Sequence, residues 1–186
     1  MEIKFGTNFA IGMVDLPIVL PVLAKTCLEK EKELLKLPWD GTSGTTGLNE
    51  NHVSTRSLQY NLFDWYTFET QKLHIWALES LKTYNDKLGN PTPEVHVQAW
   101  LNVLRFGESI KKHHHYDDGY LSANFTVQCD KTYTCYDPYS TLSTGQIVEE
   151  NVGGRLTIFP SYVPHYTTEH TSEKERITIA MDFIVR

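Results

Sequence analysis

Residues 112–119 read KHHHYDDG, and residues 120–128 follow them directly. In 120–128 apolar and polar side chains alternate, which is the pattern of a β-strand with one apolar face. Residues i and i+2 of an extended chain point to the same side. His115 and Asp117 can therefore both reach one metal ion. His113 stands in the same relation to His115, so His-x-His and His-x-Asp frames share His115.

The periodicity of the hydrophobic residues changes along the chain. From residue 94 onward apolar residues recur at every second position, which is typical of strands. This pattern predicts strands over 94–105, 120–128, 132–137, 145–150, 154–159 and 176–185. Earlier, apolar residues at helical spacing predict one helix beginning at Pro21 and a second helix running from about Asn61 to Leu88, ended by Gly89.

Helices followed by six or more short strands predict a mainly β fold with flanking helices. We expect one domain over residues 1–186. Within it, residues 93–186 would form a double-stranded β-helix, the cupin-like jelly-roll, with the metal site inside. Residues 1–92 would pack on its outside as helices and loops. The glycine-containing loop 38–57 is long enough to cover an active site.

The last strand candidate has two contrasting faces. Arg176, Thr178 and Asp182 lie on one face, and apolar residues lie on the other. In an ordinary sandwich the polar face would meet solvent, whereas in a ligand-binding barrel it would point inward at a polar cofactor. Alternation alone does not choose between these arrangements.

A third metal ligand has to come from elsewhere in the barrel, and His165 is well placed because it follows a strand candidate. Two histidines and a carboxylate that leave coordination positions open form the facial triad of non-haem Fe(II) oxygenases. We therefore predict that the catalytic metal ligands are His115, Asp117 and His165. Asp117 is preferred because a carboxylate balances the charge of Fe(II), and His113 is the alternative second ligand.

An anion-binding pair follows the third histidine. Arg176 and Thr178 lie two residues apart on one strand face, so they can present a guanidinium and a hydroxyl to one carboxylate. A dicarboxylate that chelates a metal at one end needs such an anchor at the other. Asn102, on the polar face of the first strand candidate, can bond a further oxygen of that cosubstrate.

The order of these residues resembles the 2-oxoglutarate/Fe(II) oxygenase superfamily: His-x-Asp, a distal His fifty residues after His115, and Arg-x-Thr eleven residues later. Residues 95–186 are also similar to small uncharacterised oxygenases of phage and marine bacteria. The matching segments are WLNVLR (100–105), YDP (136–138), GRL (154–156), FPS (159–161) and ERIT (175–178). That subgroup usually shows His-x-His where other oxygenases show His-x-Asp, and this chain contains both.

The resemblance implies an Fe(II)- and 2-oxoglutarate-dependent dioxygenase, an oxidoreductase with dioxygen as cosubstrate. It implies that 2-oxoglutarate is converted to succinate and carbon dioxide while a substrate is hydroxylated. It does not identify that substrate, which could be a peptidyl residue or a small metabolite. Two alternatives stay open: a cupin-type metal enzyme that does not use 2-oxoglutarate, and a non-enzymatic jelly-roll binding module.

The composition limits which classes of partner and which cellular compartment we expect. The 186 residues carry a net charge of −6 with no large Lys/Arg cluster, which argues against a nucleic-acid partner. No apolar run approaches the ~18 residues of a membrane span. Residues 1–25 lack a signal-peptide pattern and there are three cysteines, which predicts the cytoplasm, or a host's cytoplasm for a phage protein. A homodimer stays open, because no pattern favours or excludes it.

Overall fold

The computed structural model describes residues 1–39, 41, 46–115, 119–137 and 145–186. The strands among them are β1 Glu2–Gly6, β2 Phe9–Asp15, β3 Val95–Leu104, β4 Leu121–Gln128, β5 Tyr133–Tyr136, β6 Ile147–Glu150, β7 Arg155–Pro160, β8 His165–Thr167 and β9 Arg176–Val185. The α-helices are α1 Leu20–Leu34 and α2 Phe68–Leu88, and two short 3-10 helices cover Val53–Arg56 and Leu62–Trp65.

The strands form two antiparallel sheets. The larger sheet has the order β1-β2-β7-β4-β9-β3, and the smaller has the order β6-β5-β8. Strand β9 lies between β4 and β3, paired with Ser122 through Asp182 on one side and with Asn102 through Thr178 on the other. This arrangement confirms the predicted mainly β jelly-roll with flanking helices.

The apolar face of β9 belongs to the main hydrophobic core. Ile177 and Ile179 are fully buried and pack in one cluster with Leu23 of α1 and Leu73 of α2. The helices therefore cover the outer face of the larger sheet. The opposite face of β9, with Arg176, is turned toward the space between the two sheets. The structure thus answers what alternation left open: the polar face points inward.

The second helix begins later than predicted. Thr67 caps α2 in a reciprocal pair with Thr70, and Gly89 ends it in the left-handed region with φ 72°. Asn61 instead accepts a hydrogen bond from the backbone of Phe63 and starts a separate 3-10 turn. The prediction of one continuous helix from Asn61 is wrong because the left-handed Tyr66, φ 53°, separates the two segments.

Three short strands were not predicted. Strands β1 and β2 lie in the part of the chain that we expected to be helices and loops, and they extend the larger sheet through pairing of β2 with β7. Gly12 of β2 lies against the ring of Tyr84, since a Cβ there would come within 2.6 Å of it. Strand β8, only three residues long, begins at His165 itself and pairs with β5.

Helix α1 buries one of its acidic residues. Glu31 interrupts the apolar stripe in sequence, yet its side chain is only 4% exposed. Both carboxylate oxygens accept hydrogen bonds from the guanidinium of Arg105, at 3.0 and 2.8 Å. The charge on this helix face is thus partly neutralised within the fold rather than solvated.

No α-helix in the described parts of the chain combines the length and apolarity that a lipid bilayer requires. The three cysteines, Cys27, Cys129 and Cys135, are all free thiols.

Candidate functional site

Three histidines converge at one end of the space between the sheets. His113, His115 and His165 each offer a ring nitrogen, and the three atoms lie within 4.8 Å of one another. The backbone enforces this meeting: His113 and His165 exchange two N–H···O hydrogen bonds of 3.1 and 2.9 Å. His115 lies two residues beyond His113 and donates its N–H to the carbonyl of Ser161, 3.0 Å away. The three rings therefore face one point.

The hydrogen bonds of the rings fix their tautomers. The Nδ1 of His113 lies 2.8 Å from the carbonyl oxygen of Lys111, and the Nδ1 of His165 lies 3.1 Å from that of Val163. The Nδ1 of His115 lies 2.9 Å from a carboxyl oxygen. Carbonyl oxygens can only accept, so Nδ1 carries the proton in His113 and His165. Their Nε2 lone pairs are then available to a metal ion.

Burial keeps two of the rings neutral. It lowers the pKa of His113 from 6.5 to about 4, with the neighbouring His115 as the next cause. It also lowers the pKa of His165 well below its usual value, and His113 adds to that shift. Since a metal binds the neutral imidazole, both rings are in the binding form at neutral pH.

Asp117, the preferred second ligand in sequence, lies outside the described residues. Of the two frames that share His115, the described chain shows the His113-x-His115 frame, in which both rings meet His165. The predicted alternative ligand is thus placed at the cluster.

The predicted anion anchor lies on the wall of the same cavity. Arg176 is 1% exposed, and Thr178 is fully buried. Within the described parts of the chain, the guanidinium donates to two hydroxyls, that of Thr132 at 3.3 Å and that of Thr178 at 3.5 Å. No ion pair to Arg176 occurs among the residues that the structure describes. Burial lowers the pKa of Arg176 from 12.5 to about 10.

One cavity of about 410 Å³ joins the histidines to the arginine. Asn102, predicted as a further cosubstrate contact, also lines it. Asn102 is paired in register with Thr178, so β3 and β9 present both side chains at the same level of the barrel. The cavity has room for a small dicarboxylate together with part of a second molecule.

Sequence reasoning missed two residues that contact His115. Oδ2 of Asp182, in β9, lies 2.9 Å from Nδ1 of its ring. The indole of Trp100 stacks on the same ring, with centroids 5.5 Å apart and planes inclined by 21°. The signal available for Asp182 was its place on the polar face of β9, in phase with Arg176 and Thr178.

Comparison with known proteins gives matches among solved structures only. No known protein-family model and no curated protein sequence matches the chain. A prolyl-4-hydroxylase from Pseudomonas putida is 16% identical with a TM-score of 0.62, and the match covers 98% of this chain and 94% of that chain. An oxidoreductase of the 2OG-Fe(II) oxygenase family from Burkholderia pseudomallei is 12% identical with a TM-score of 0.53, over 94% and 84% of the two chains.

A third match is EvdO2 from Micromonospora carbonacea var. aurantiaca, solved in complex with 2-oxoglutarate. It is 10% identical with a TM-score of 0.58, and the match covers 95% of this chain and 86% of that chain. At such identities the similarity concerns the backbone. The chain therefore has the jelly-roll fold of these oxygenases, with nearly all of its length included.

Proposed function

We propose that the protein is an Fe(II)- and 2-oxoglutarate-dependent dioxygenase, an oxidoreductase that hydroxylates its substrate. The observation that carries the proposal is the buried guanidinium of Arg176, which lies on the wall of the cavity that the three histidines share. None of the residues that the structure describes forms an ion pair with it. A buried cation without a partner is costly. A ligand that brings a carboxylate to it and reaches the histidines offsets that cost.

Imidazole nitrogens suit iron, as they suit zinc, copper and nickel. Three imidazoles with convergent Nε2 atoms would hold one side of an Fe(II) ion and leave the positions that face the cavity open. His115 and His165 belong to the triad predicted from the sequence, and His113 supplies the third described ring. Asp117 remains a predicted ligand. The bound metal and cosubstrate would supply oxidative decarboxylation and transfer of an oxygen atom, with dioxygen as the oxidant.

The residues of this chain would do the binding and positioning. Arg176 and Thr178 would take the far carboxylate of 2-oxoglutarate through charge-assisted hydrogen bonds, and Asn102 would contact it from β3. The enclosed position of Arg176 excludes water from that contact, which strengthens it. In support, the solved structures with this fold include an enzyme complexed with 2-oxoglutarate.

The substrate would enter from the remaining part of the cavity. Its volume of about 410 Å³ leaves space for a peptidyl side chain or a small metabolite beside the cosubstrate. Thr46, Ser54 and Ser57 of the loop 38–57 line the cavity, so we propose that the loop covers bound substrate. Protection of the loop from protease by cosubstrate and substrate would support this idea, and unchanged cleavage would contradict it.

The test is the visible charge-transfer band of an iron–2-oxoglutarate chelate. Untagged protein is loaded anaerobically with Fe(II) and titrated with 2-oxoglutarate, alongside Arg176→Ala. We expect a band in the parent and a far higher cosubstrate requirement in the variant. Metal binding without a band at any concentration would favour the cupin-type alternative. Absence of metal binding would favour a non-enzymatic binding module.

A further inference from the structure

One of the three histidines is held differently from the other two. The rings of His113 and His165 donate to backbone carbonyls only two residues away in sequence. The ring of His115 contacts a side chain from a distant strand: its Nδ1 lies 2.9 Å from Oδ2 of Asp182, sixty-seven residues away. The orientation of His115 therefore depends on the tertiary fold rather than on local backbone.

Asp182 is itself fixed by buried hydroxyls. Its Oδ1 accepts a hydrogen bond of 2.6 Å from Oγ of Ser122, which lies 2.9 Å from Oγ of Ser161. Asp182, Ser122 and Ser161 are 4%, 2% and 1% exposed. Ser161 closes the network, because its carbonyl accepts the backbone N–H of His115. Both the ring and the backbone of His115 are thus tied to one hydrogen-bonded unit.

The roles of donor and acceptor are determined within this unit. One carboxyl oxygen of Asp182 accepts from Ser122, and the other faces a ring nitrogen. A carboxylate can only accept a hydrogen bond, so in this contact His115 would donate from Nδ1. The lone pair of His115 is then on Nε2, on the side of the ring available to the other two histidines.

Space around the unit is tight. A Cβ at Gly119 would come within 2.5 Å of Oγ of Ser161 and 3.5 Å of Cβ of Asp182, so only glycine lets the chain pass at this distance. The ring of His115 is also stacked against Trp100. The ring therefore has little freedom to turn away from Asp182.

Asp182 also affects the net charge around a bound metal ion. The three described rings bring no negative charge to a divalent metal ion. Among the described residues, no carboxyl group other than that of Asp182 hydrogen-bonds one of the three rings. A carboxylate bonded to a ligating imidazole orients the ring and raises its basicity.

We propose that Asp182 is a positioning residue of the metal centre. It would hold the ring of His115 through Nδ1, and without contacting the metal it would supply a negative charge that three imidazoles lack. The proposal rests on the metal-binding part of the proposed function. It does not depend on 2-oxoglutarate, on dioxygen or on any substrate.

The experiment is a calorimetric titration of Co(II) and Zn(II) into metal-free protein without 2-oxoglutarate. Asp182→Ala removes the contact and the charge, and we expect it to bind metal roughly 10–100-fold more weakly. Asp182→Asn can still accept from Nδ1 and donate to Ser122, but it lacks the charge. Its affinity should fall between those of the parent and Asp182→Ala.

Asp15→Asn is the matched control. It removes one negative charge from a side chain that is 68% exposed at the end of β2, where Asp15 pairs with Arg155. We expect this variant to bind metal as the parent does. An equal loss in Asp15→Asn and Asp182→Asn would mean that only net charge matters, and it would overturn the proposal.

A second readout uses the parent protein, so it does not depend on a variant folding. Long-range ¹H–¹⁵N spectra of the Zn(II)-loaded protein should show His115 protonated at Nδ1, with its proton shifted as in a hydrogen bond to a carboxylate. A proton on Nε2, or parent affinity in either Asp182 variant, would refute the proposal. Metal binding with these effects but without the charge-transfer band would leave the proposal standing and reject the oxygenase function. A parent that binds no metal would reject both.

Discussion

The buried charge of Arg176 acts in opposite directions on stability and on cosubstrate binding, and Arg176→Met separates the two effects. Burial lowers the pKa of Arg176 from 12.5 to about 10. At ~1.4 kcal/mol per pKa unit, confining the charged form costs the folded protein on the order of 3 kcal/mol. The lowered pKa disfavours the protonated group in the folded state. The cost is therefore fully present at neutral pH, below both pKa values, and it disappears only as the pH rises through them.

Arg176→Met removes this cost and keeps an unbranched side chain. The native hydrogen bonds that it removes are long, 3.3 Å to Thr132 and 3.5 Å to Thr178. We expect the melting temperature of the ligand-free protein to stay the same or to rise, at about 2–4 °C per kcal/mol for a chain of this size. Cosubstrate binding should suffer in the same variant. Two charge-assisted hydrogen bonds of ~1.5–3 kcal/mol each correspond to a Kd for 2-oxoglutarate raised about 10²–10⁴-fold.

Differential scanning calorimetry of the metal-free proteins and calorimetric titration of 2-oxoglutarate into the Mn(II)-loaded proteins measure the two effects. Arg155→Met is the control, because Arg155 is a partly exposed arginine of β7 that pairs with Asp15 away from the cavity. This control should bind 2-oxoglutarate normally. The reasoning is refuted when Arg176→Met melts several degrees below the parent and binds 2-oxoglutarate with unchanged Kd, since Arg176 would then be a structural residue.

Three further predictions concern other parts of the molecule. His113→Ala should weaken Co(II) binding in a calorimetric titration by more than the roughly 10–100-fold typical of residues that contact a ligand; parent affinity in His113→Ala with a large loss in Asp117→Ala would make Asp117 the ligand in its place. Burial raises the pKa of Cys27 to about 12, so the thiol is protonated at pH 8. Mass spectrometry should find Cys27 alkylated only after denaturation, and labelling of the native protein would contradict its burial. Arg105→Ala leaves the buried carboxylate of Glu31 without its partner, so urea unfolding should show a loss of ~1–3 kcal/mol. Adding Glu31→Leu should recover most of the lost free energy of unfolding. An unchanged free energy of unfolding in Arg105→Ala would mean that the pair contributes nothing.

Much of the fold could be predicted because its strands alternate regularly. In β9 the apolar residues reach the helices and Arg176 reaches the cavity, as a period of two requires. Strand β8 escaped prediction because three residues are too short for a period to appear. Strand β2 escaped because its place depends on pairing with β7, far away in sequence. Pairing between distant segments leaves no local signal.

In the candidate site, too, residues with a local sequence signal could be predicted and those that depend on distant pairing could not. The sequence led to His113, His115 and His165 through their order and spacing, and the structure brings these three rings together. It did not lead to Asp182, because one acidic residue among many acquires a role only through the register that sets β9 beside β4. Glu31 shows the same limit, since its burial depends on Arg105 at the end of another element.

Strand β9 also sets the distance between Arg176 and Asp182. Arg176 lies at its first position and Asp182 six residues later on the same face, which separates their Cα atoms by about 20 Å at ~3.3 Å per residue. Strands β3 and β4 pair with β9 on its two sides, so this length is set by the number of residues in the strand. On the proposed function, the side chain of Arg176 and the Asp182–His115 pair occupy much of this interval and leave a shorter gap for the cosubstrate, so a keto diacid one methylene shorter or longer would fit that gap poorly. Discrimination by length would then survive exchanges of cavity-wall side chains other than Arg176 and the histidines, and an insertion or deletion in the strand would change it.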